Sequence, residues 1–117
     1  MTSKKGAPSN KSAETKRGLN LPRIADYSQD FLKDYRKAVH SGMVDMSRVN
    51  EAITVVIAND GPINPEWNDH ALKGSMDGYR ELHVKGDLLL IYEVGEGPKK
   101  NTETVVFVRL GTHSELF

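Results

Sequence analysis

Three strand candidates with very short connections between them leave this chain little choice of topology. Gly78 to Val84 forms the first and stops at Lys85-Gly86-Asp87. Leu88 to Val94 is apolar apart from Glu93, as in a central strand. Gly95 to Asn101 is a Gly, Pro and Lys loop, and Thr104 to Leu110 is again mostly apolar, with Arg109 within it. Parallel neighbours need a crossover of about a dozen residues or more, so these runs predict an antiparallel meander.

The preceding segment has helical rather than strand periodicity. Ser28 is an N-cap candidate, followed by Phe31, Leu32, Tyr35, Ala38 and Val39 at helical spacing, with Gly42 as the stop. Ser47 reads as a second N-cap ahead of the stripe Val49, Ala52, Ile53, Val56 and Ile57, which Asp60-Gly61-Pro62 breaks. A short turn joins the two helices, which predicts an antiparallel helix hairpin covering one face of the sheet. Leu19 to Ala25 alternates weakly and predicts an edge strand, the setting that tolerates Pro22. Pro62 to Asp77 has no period and reads as a loop, anchored by Trp67 and Leu72. The expectation is an α+β domain, a two-helix hairpin on a small antiparallel sheet, in the order β-α-α-β-β-β.

A chain of 117 residues holds one such domain. Met1 to Gly18 has almost no large apolar side chain and cannot offset its ordering entropy by burial, so it reads as a flexible arm ahead of a body spanning 19–117. The formal charges cancel, 16 basic against 16 acidic, but unevenly. Lys4, Lys5, Lys11, Lys16 and Arg17 against Glu14 give the arm +4, which leaves the body at −4. A basic arm suits an acidic polymer or protein, while the acidic body argues against broad nucleic-acid binding. The absence of cysteine removes disulfides, thiol catalysis and thiolate metal sites, and fits a reducing cytosol. The N-terminus has no apolar core of a signal peptide, and no apolar run is long enough to cross a bilayer, so the expected location is cytoplasmic, with no membrane partner.

Three of the four histidines lie in short polar motifs of the second half: His70, His83 and His113. Side chains alternate along a strand, so Tyr79, Glu81 and His83 share one face, and Arg80, Leu82 and Val84 the other, covered one. Arg80 therefore reads as a structural ion-pair partner as well as a candidate RNA contact. Phe107, Arg109 and Gly111 share a parity that reaches His113 if the strand continues. Asp87 sits in the hairpin turn and His70 in the long loop. Metal-free cleavage of RNA needs a base for the 2′-hydroxyl, an acid for the leaving 5′-oxygen and a cation for the charge growing on phosphorus. Imidazoles near neutral pH and a guanidinium supply all three; a carboxylate orients an imidazole, and an aromatic ring stacks on an unpaired base. His70, His83, His113, Asp87, Arg109 and Phe117 fill those roles. Three histidines and an aspartate are also donors for zinc or manganese. No helical His-x-x-x-His pair exists and the donors come from three segments, so neither a metal nor any other cofactor is expected.

Four motifs carry a resemblance: Asp69-His70-Ala71-Leu72-Lys73-Gly74; Gly78-Tyr79-Arg80-Glu81-Leu82-His83; Asp87 before Leu88-Leu89-Leu90-Ile91-Tyr92; and Arg109-Leu110-Gly111-Thr112-His113-Ser114-Glu115-Leu116-Phe117. In order and spacing the chain resembles the YafQ-type toxins of bacterial type II toxin–antitoxin systems, within the RelE-like superfamily, from about Ala25 onward. The resemblance implies a RelE-like fold and an endoribonuclease that cuts translated mRNA in the ribosomal A site. It also implies a cognate antitoxin that neutralises the toxin and alone contacts operator DNA. The family's catalytic positions fall on His70, His83, Asp87, His113 and Phe117, with one of His83 and His113 the base and the other, His113 for preference, the acid. Arg109 falls on a phosphate contact, Glu81 on a position where acidic residues are common, and Lys73 and Arg80 join them as candidate RNA contacts. The acidic body departs from the basic character of such toxins. The alternative is a catalytically weak binding module that acts through its antitoxin as a co-repressor.

Overall fold

The computed structural model describes residues 20–117, so the basic arm, 1–18, lies outside the described residues. The chain order is β1 (Ile24–Tyr27), α1 (Gln29–Ser41), α2 (Met46–Ala58), β2 (His70–Ala71), β3 (Arg80–Lys85), β4 (Leu88–Glu96), β5 (Glu103–Thr112) and α3 (His113–Leu116). Single 3-10 turns occupy Pro65–Trp67 and Gly74–Met76. The sheet has five strands in the order β1-β5-β4-β3-β2.

The expected meander is β3-β4-β5, antiparallel throughout. The sheet as a whole is mixed rather than antiparallel, because β1 pairs parallel to β5, with Ile24 opposite Thr104 and Tyr27 opposite Phe107. No hairpin ties these strands together, so their relative direction is free of turn geometry. The edge strand also lies later than expected, beyond Pro22. Its entry is fixed by Arg23, whose backbone N–H donates to Ile57 O (2.7 Å) and whose guanidinium donates to Val56 O (2.7 Å) and Glu103 (2.9 Å). These bonds satisfy carbonyls at the C-terminal end of α2, where a cation also complements the helix dipole.

Ser28 caps α1 as its sequence predicts, with Oγ accepting from Phe31 N (3.0 Å), and Gly42 ends the helix in the left-handed region. The cap of α2 is Asp45 rather than Ser47: its carboxylate accepts from Arg48 N and from Ser47 Oγ. The Ser47 and Arg48 hydrogen bonds and the nearby Lys85 ammonium lower the Asp45 pKa to about 2. An aspartate therefore takes the helix N-terminus and keeps its charge there.

Both helices contribute to one core. Phe31, Ala38, Val49, Ala52 and Val56 pack against Leu82, Val84, Leu90, Tyr92, Val105, Phe107 and Leu110 of the sheet. Trp67 is buried as predicted, and Leu72 is half-buried. Ile91 and Leu89 are also buried but lie on the other face, opposite Glu81 and His83. A bulge interrupts β4–β5: Ile91 pairs with Arg109 but Tyr92 pairs with Phe107, which leaves Val108 as the extra residue. The bulge breaks the expected common parity of Phe107, Arg109 and Gly111. Phe107 joins the core, whereas Arg109 and Gly111 fall in register with Ile91 and Leu89. Among the described residues, no helix is long and apolar enough to cross a membrane.

Candidate active site

The face of the sheet away from the helix pair carries two rows. His70, Glu81, Ile91 and Arg109 are successive cross-strand partners from β2 to β5, and His83, Leu89 and Gly111 form the next row. The β3–β4 turn with Asp87 and the β5–α3 junction lie at the same end of the sheet, since Leu88 pairs with both Lys85 and Thr112.

The long loop is not all loop: at His70–Ala71 it adds a two-residue strand to β3, with His70 opposite Glu81. His70 Nε2 and His83 Nε2 both lie 3.2 Å from the same oxygen, Glu81 Oε2. Their ring centroids are 5.8 Å apart, and Glu81 is only 7% exposed. His70 Nδ1 sits 2.8 Å from Asn68 O. A carbonyl only accepts, so Nδ1 carries a proton there, and a neutral His70 turns the lone pair of Nε2 toward Glu81. A hydrogen bond between Nε2 and Glu81 then needs an additional proton on one of the two groups. The Asn68 carbonyl is aimed by its left-handed backbone (φ 47°), which follows the turn carrying buried Trp67. Arg48 clamps that turn: its guanidinium lies 3.6 Å over the Trp67 ring, and its Nε donates to Val84 O (3.0 Å).

Asp69, immediately before this strand, turns the other way. Its carboxylate accepts from Tyr92 OH and from Arg80 Nη2 (2.7 Å). Burial, and then the Asp69 carboxylate, push the Tyr92 phenol well above the ordinary tyrosine range. The Asp69 hydrogen bond raises the Arg80 guanidinium, so both stay donors at any working pH.

The third imidazole comes from α3. Thr112 N donates to Glu115 Oε1 (2.8 Å) within a capping box, and Lys37 reaches Glu115 Oε2 at 3.4 Å. The two Thr112 bonds, followed by Lys37, depress the Glu115 pKa. His113 and Phe117 stack at 5.0 Å between centroids, and Phe117 is 51% exposed. Gly111 makes this docking possible, because a Cβ there would lie 3.0 Å from Leu116 Cδ2 and 3.1 Å from Glu115 Oε1. Two strand spacings, about 10 Å, separate the backbone at His83 from that at Gly111. Between them Leu89 is buried, and α3 packs over Gly111 on the same face of the sheet as Glu81 and His83.

The candidate cations are less free than their positions imply. Arg109 forks onto Asp34 of α1 (2.7 and 3.2 Å), and Asp34 also accepts from Leu110 N (2.9 Å). That pair raises the Arg109 pKa. Arg80 is held by Asp69, as its parity predicts. Lys73 and Asp87 are exposed, and their side chains make no hydrogen bond among the described residues. Glu81 lies between two imidazoles, a position suited to orienting them rather than to meeting a phosphate. Sequence reasoning did not single out Asn68, Arg48 or the anchoring role of Asp69. Of these, only Asp69 left a signal, its adjacency to His70. Finally, His70, Glu81 and His83 offer three donor atoms within 4.8 Å of one another, a set that fits a transition-metal ion. The Asn68–His70 bond already presents the ligating nitrogen.

Residues 23–117 match the family model for YafQ, described as a bacterial toxin of the type II toxin–antitoxin system. The chain belongs to the YafQ toxin family. The mRNA interferase toxin YafQ of Escherichia coli strain K12 is 34% identical over 97 residues, 83% of this chain and 98% of that protein. The toxin in the E. coli DinJ-YafQ toxin–antitoxin complex superposes with a TM-score of 0.69 at 35% identity, over 83% of this chain and 99% of that one. A metal-bound toxin from Helicobacter pylori superposes with a TM-score of 0.65 at 36% identity, over 81% and 99%. The resemblance in the four motifs thus extends to the fold. The basic arm precedes the residues that match the YafQ family model.

Proposed function

We propose that this YafQ-family endoribonuclease cuts mRNA in the ribosomal A site by attack of a 2′-hydroxyl on the neighbouring phosphate. His83 takes the 2′-hydroxyl proton as the oxygen bonds to phosphorus. The bond to the 5′-oxygen breaks, His113 supplies the proton to that leaving oxygen, and the products are a 2′,3′-cyclic phosphate and a 5′-hydroxyl. Glu81 orients His83 and His70, and a protonated His70 supplies positive charge beside the phosphate. Asp87 lies at the same end of the sheet, and Phe117 offers a face on which an unpaired base stacks. The observation that carries this reading is the cluster of two imidazoles on Glu81, on the same sheet face over which α3 carries a third imidazole stacked on an exposed phenylalanine.

Lys73 and the exposed part of Arg109 serve as phosphate contacts. The arm supplies further charge for ribosomal RNA, which the acidic body lacks. The DinJ-YafQ complex supports a cognate antitoxin as the protein partner, with operator DNA reached only through it. Action on translated mRNA sets the cytoplasm as the working compartment. The co-repressor alternative has no need of three imidazoles on one face. Inducing the protein without antitoxin and mapping 5′ ends on cellular mRNA tests the reading. In-frame cuts that vanish when translation is blocked, and that His83→Gln or His113→Ala abolish, are expected; cuts that persist in both variants contradict it.

A second reading has its own observation, the three donors of His70, Glu81 and His83. The metal-bound H. pylori toxin supports it. An ion held there would supply Lewis acidity beside the phosphate. Cleavage that survives a strong chelator excludes a metal requirement; cleavage lost in chelator and restored by zinc or copper favours it.

A further inference from the structure

We propose that Asp69 is the positioning residue that holds His70 against Glu81, acting through a buried anchor on the opposite face of the sheet. The proposal rests on the reading of His70 as part of the catalytic set. A strand of two residues at a sheet edge cannot hold its own register, since isolated pairings of that length are marginal in water. β2 has only His70 and Ala71, and among the described residues β3 is the one strand that pairs with it. Its register is nonetheless what sets the His70–Glu81 approach. Leu72 N donates to Tyr79 O (2.9 Å) just beyond the strand and closes that end; something must fix the other.

Asp69 is the fixed point. Both of its carboxylate oxygens are engaged, Oδ1 by Tyr92 OH and Oδ2 by Arg80 Nη2 at 2.7 Å. The donors belong to adjacent strands, since Arg80 of β3 pairs with Tyr92 of β4. Tyr92 is 1% exposed and packs on Phe107, so one end of the anchor is part of the core. Successive side chains of an extended segment point to opposite faces. Asp69 held on the covered side therefore directs His70 to the open side, where Asn68 O fixes the remaining ring nitrogen. Asp69 does not touch the sheet face where RNA would lie. Any effect it has on cleavage passes through its neighbour.

The test is a double-mutant cycle in the full-length protein, scored by single-turnover cleavage of mRNA on programmed ribosomes. Asp69→Ala lowers kcat by about 10²-fold, the effect of roughly 1 Å of misplacement at a reacting group, and leaves KM within about twofold. Placed in a His70→Ala background, the same substitution causes no further loss. Equal fractional losses in both backgrounds, or an effect confined to KM, overturn the proposal. Tyr92→Phe removes one anchor bond without opening a cavity and gives a smaller loss with the same dependence on His70; it serves if Asp69→Ala does not fold. A readout independent of activity is the His70 Nδ1–H resonance in imidazole NMR spectra. The anchor predicts its broadening or loss in Asp69→Ala, and an unchanged resonance overturns the inference. Should His70→Ala alone cleave at the native rate, the catalytic reading of His70 falls, and the NMR result decides the positioning claim by itself.

Discussion

Gly111→Ala is the smallest change that should move His113 without removing it. The added Cβ would lie 3.0 Å from Leu116 Cδ2, 3.1 Å from Glu115 Oε1 and 3.3 Å from Leu116 Cγ. Rotating the Leu116 side chain about χ2 relieves the first contact but not the last, since Cγ stays in place. Swinging the Glu115 carboxylate away gives up its bond to Thr112 N, a helix-cap interaction worth about 1 kcal/mol. The remaining response is displacement of α3 by about 0.4 Å, to an ordinary contact distance. If 1 Å of misplacement costs about 10²-fold, 0.4 Å costs roughly sixfold, or about 1 kcal/mol of transition-state stabilisation. Single-turnover cleavage on programmed ribosomes should fall by that factor in kcat, with KM little changed. Amide exchange at Phe117, whose N–H is bonded to His113 O (2.9 Å), should accelerate. Gly111→Val, larger and branched at Cβ, should cost substantially more. If the valine variant cleaves at the native rate with native Phe117 protection, the seating of α3 does not govern catalysis and the reasoning fails.

Phe117→Ala removes a stacking surface worth about 1–3 kcal/mol per base, so KM for RNA should rise about 5- to 150-fold and Phe117→Trp should restore it; an unchanged KM would separate Phe117 from base binding. Asp45 has its folded pKa depressed to about 2, so its contribution to stability is fully present above the unfolded value of about 3.9 and is lost as pH falls through 2. Asp45→Asn should accordingly flatten the dependence of Tm on pH between about 4 and 2, and an unaltered acid limb would remove Asp45 from the account. Deleting residues 1–18 takes away five cations, and the log–log salt dependence of ribosome binding should flatten by up to about 3.5; an unchanged slope would show that the arm makes no phosphate contacts.

The meander was legible because Gly86 and the Gly95–Asn101 loop punctuate strand candidates too closely spaced for a crossover. What the sequence hid lies in pairing partners and in single inserted residues. The direction of β1 depends on β5, at the far end of the chain, and nothing local to Ile24–Tyr27 encodes it. β2 is too short to show a period. Val108 looks like any strand residue, yet as a bulge it inverts the parity between Phe107 and Arg109. Ser47 and Asp45 are both good caps, and the choice fell to the residue that also meets Arg48 and Lys85. In the site, alternation correctly set Glu81 and His83 on one face. The second imidazole on Glu81 came from pairing register, which spacing does not reveal. Arg109 looked available to a phosphate because Asp34, its partner, sits in α1, far away in sequence.

The pH dependence of single-turnover cleavage in native protein, His83→Ala and His113→Ala tests the shared use of one phosphodiester most directly. The account predicts a bell for the native protein, loss of the rising limb when the base His83 is removed, and loss of the falling limb when the acid His113 is removed. Both limbs surviving in both variants would contradict it.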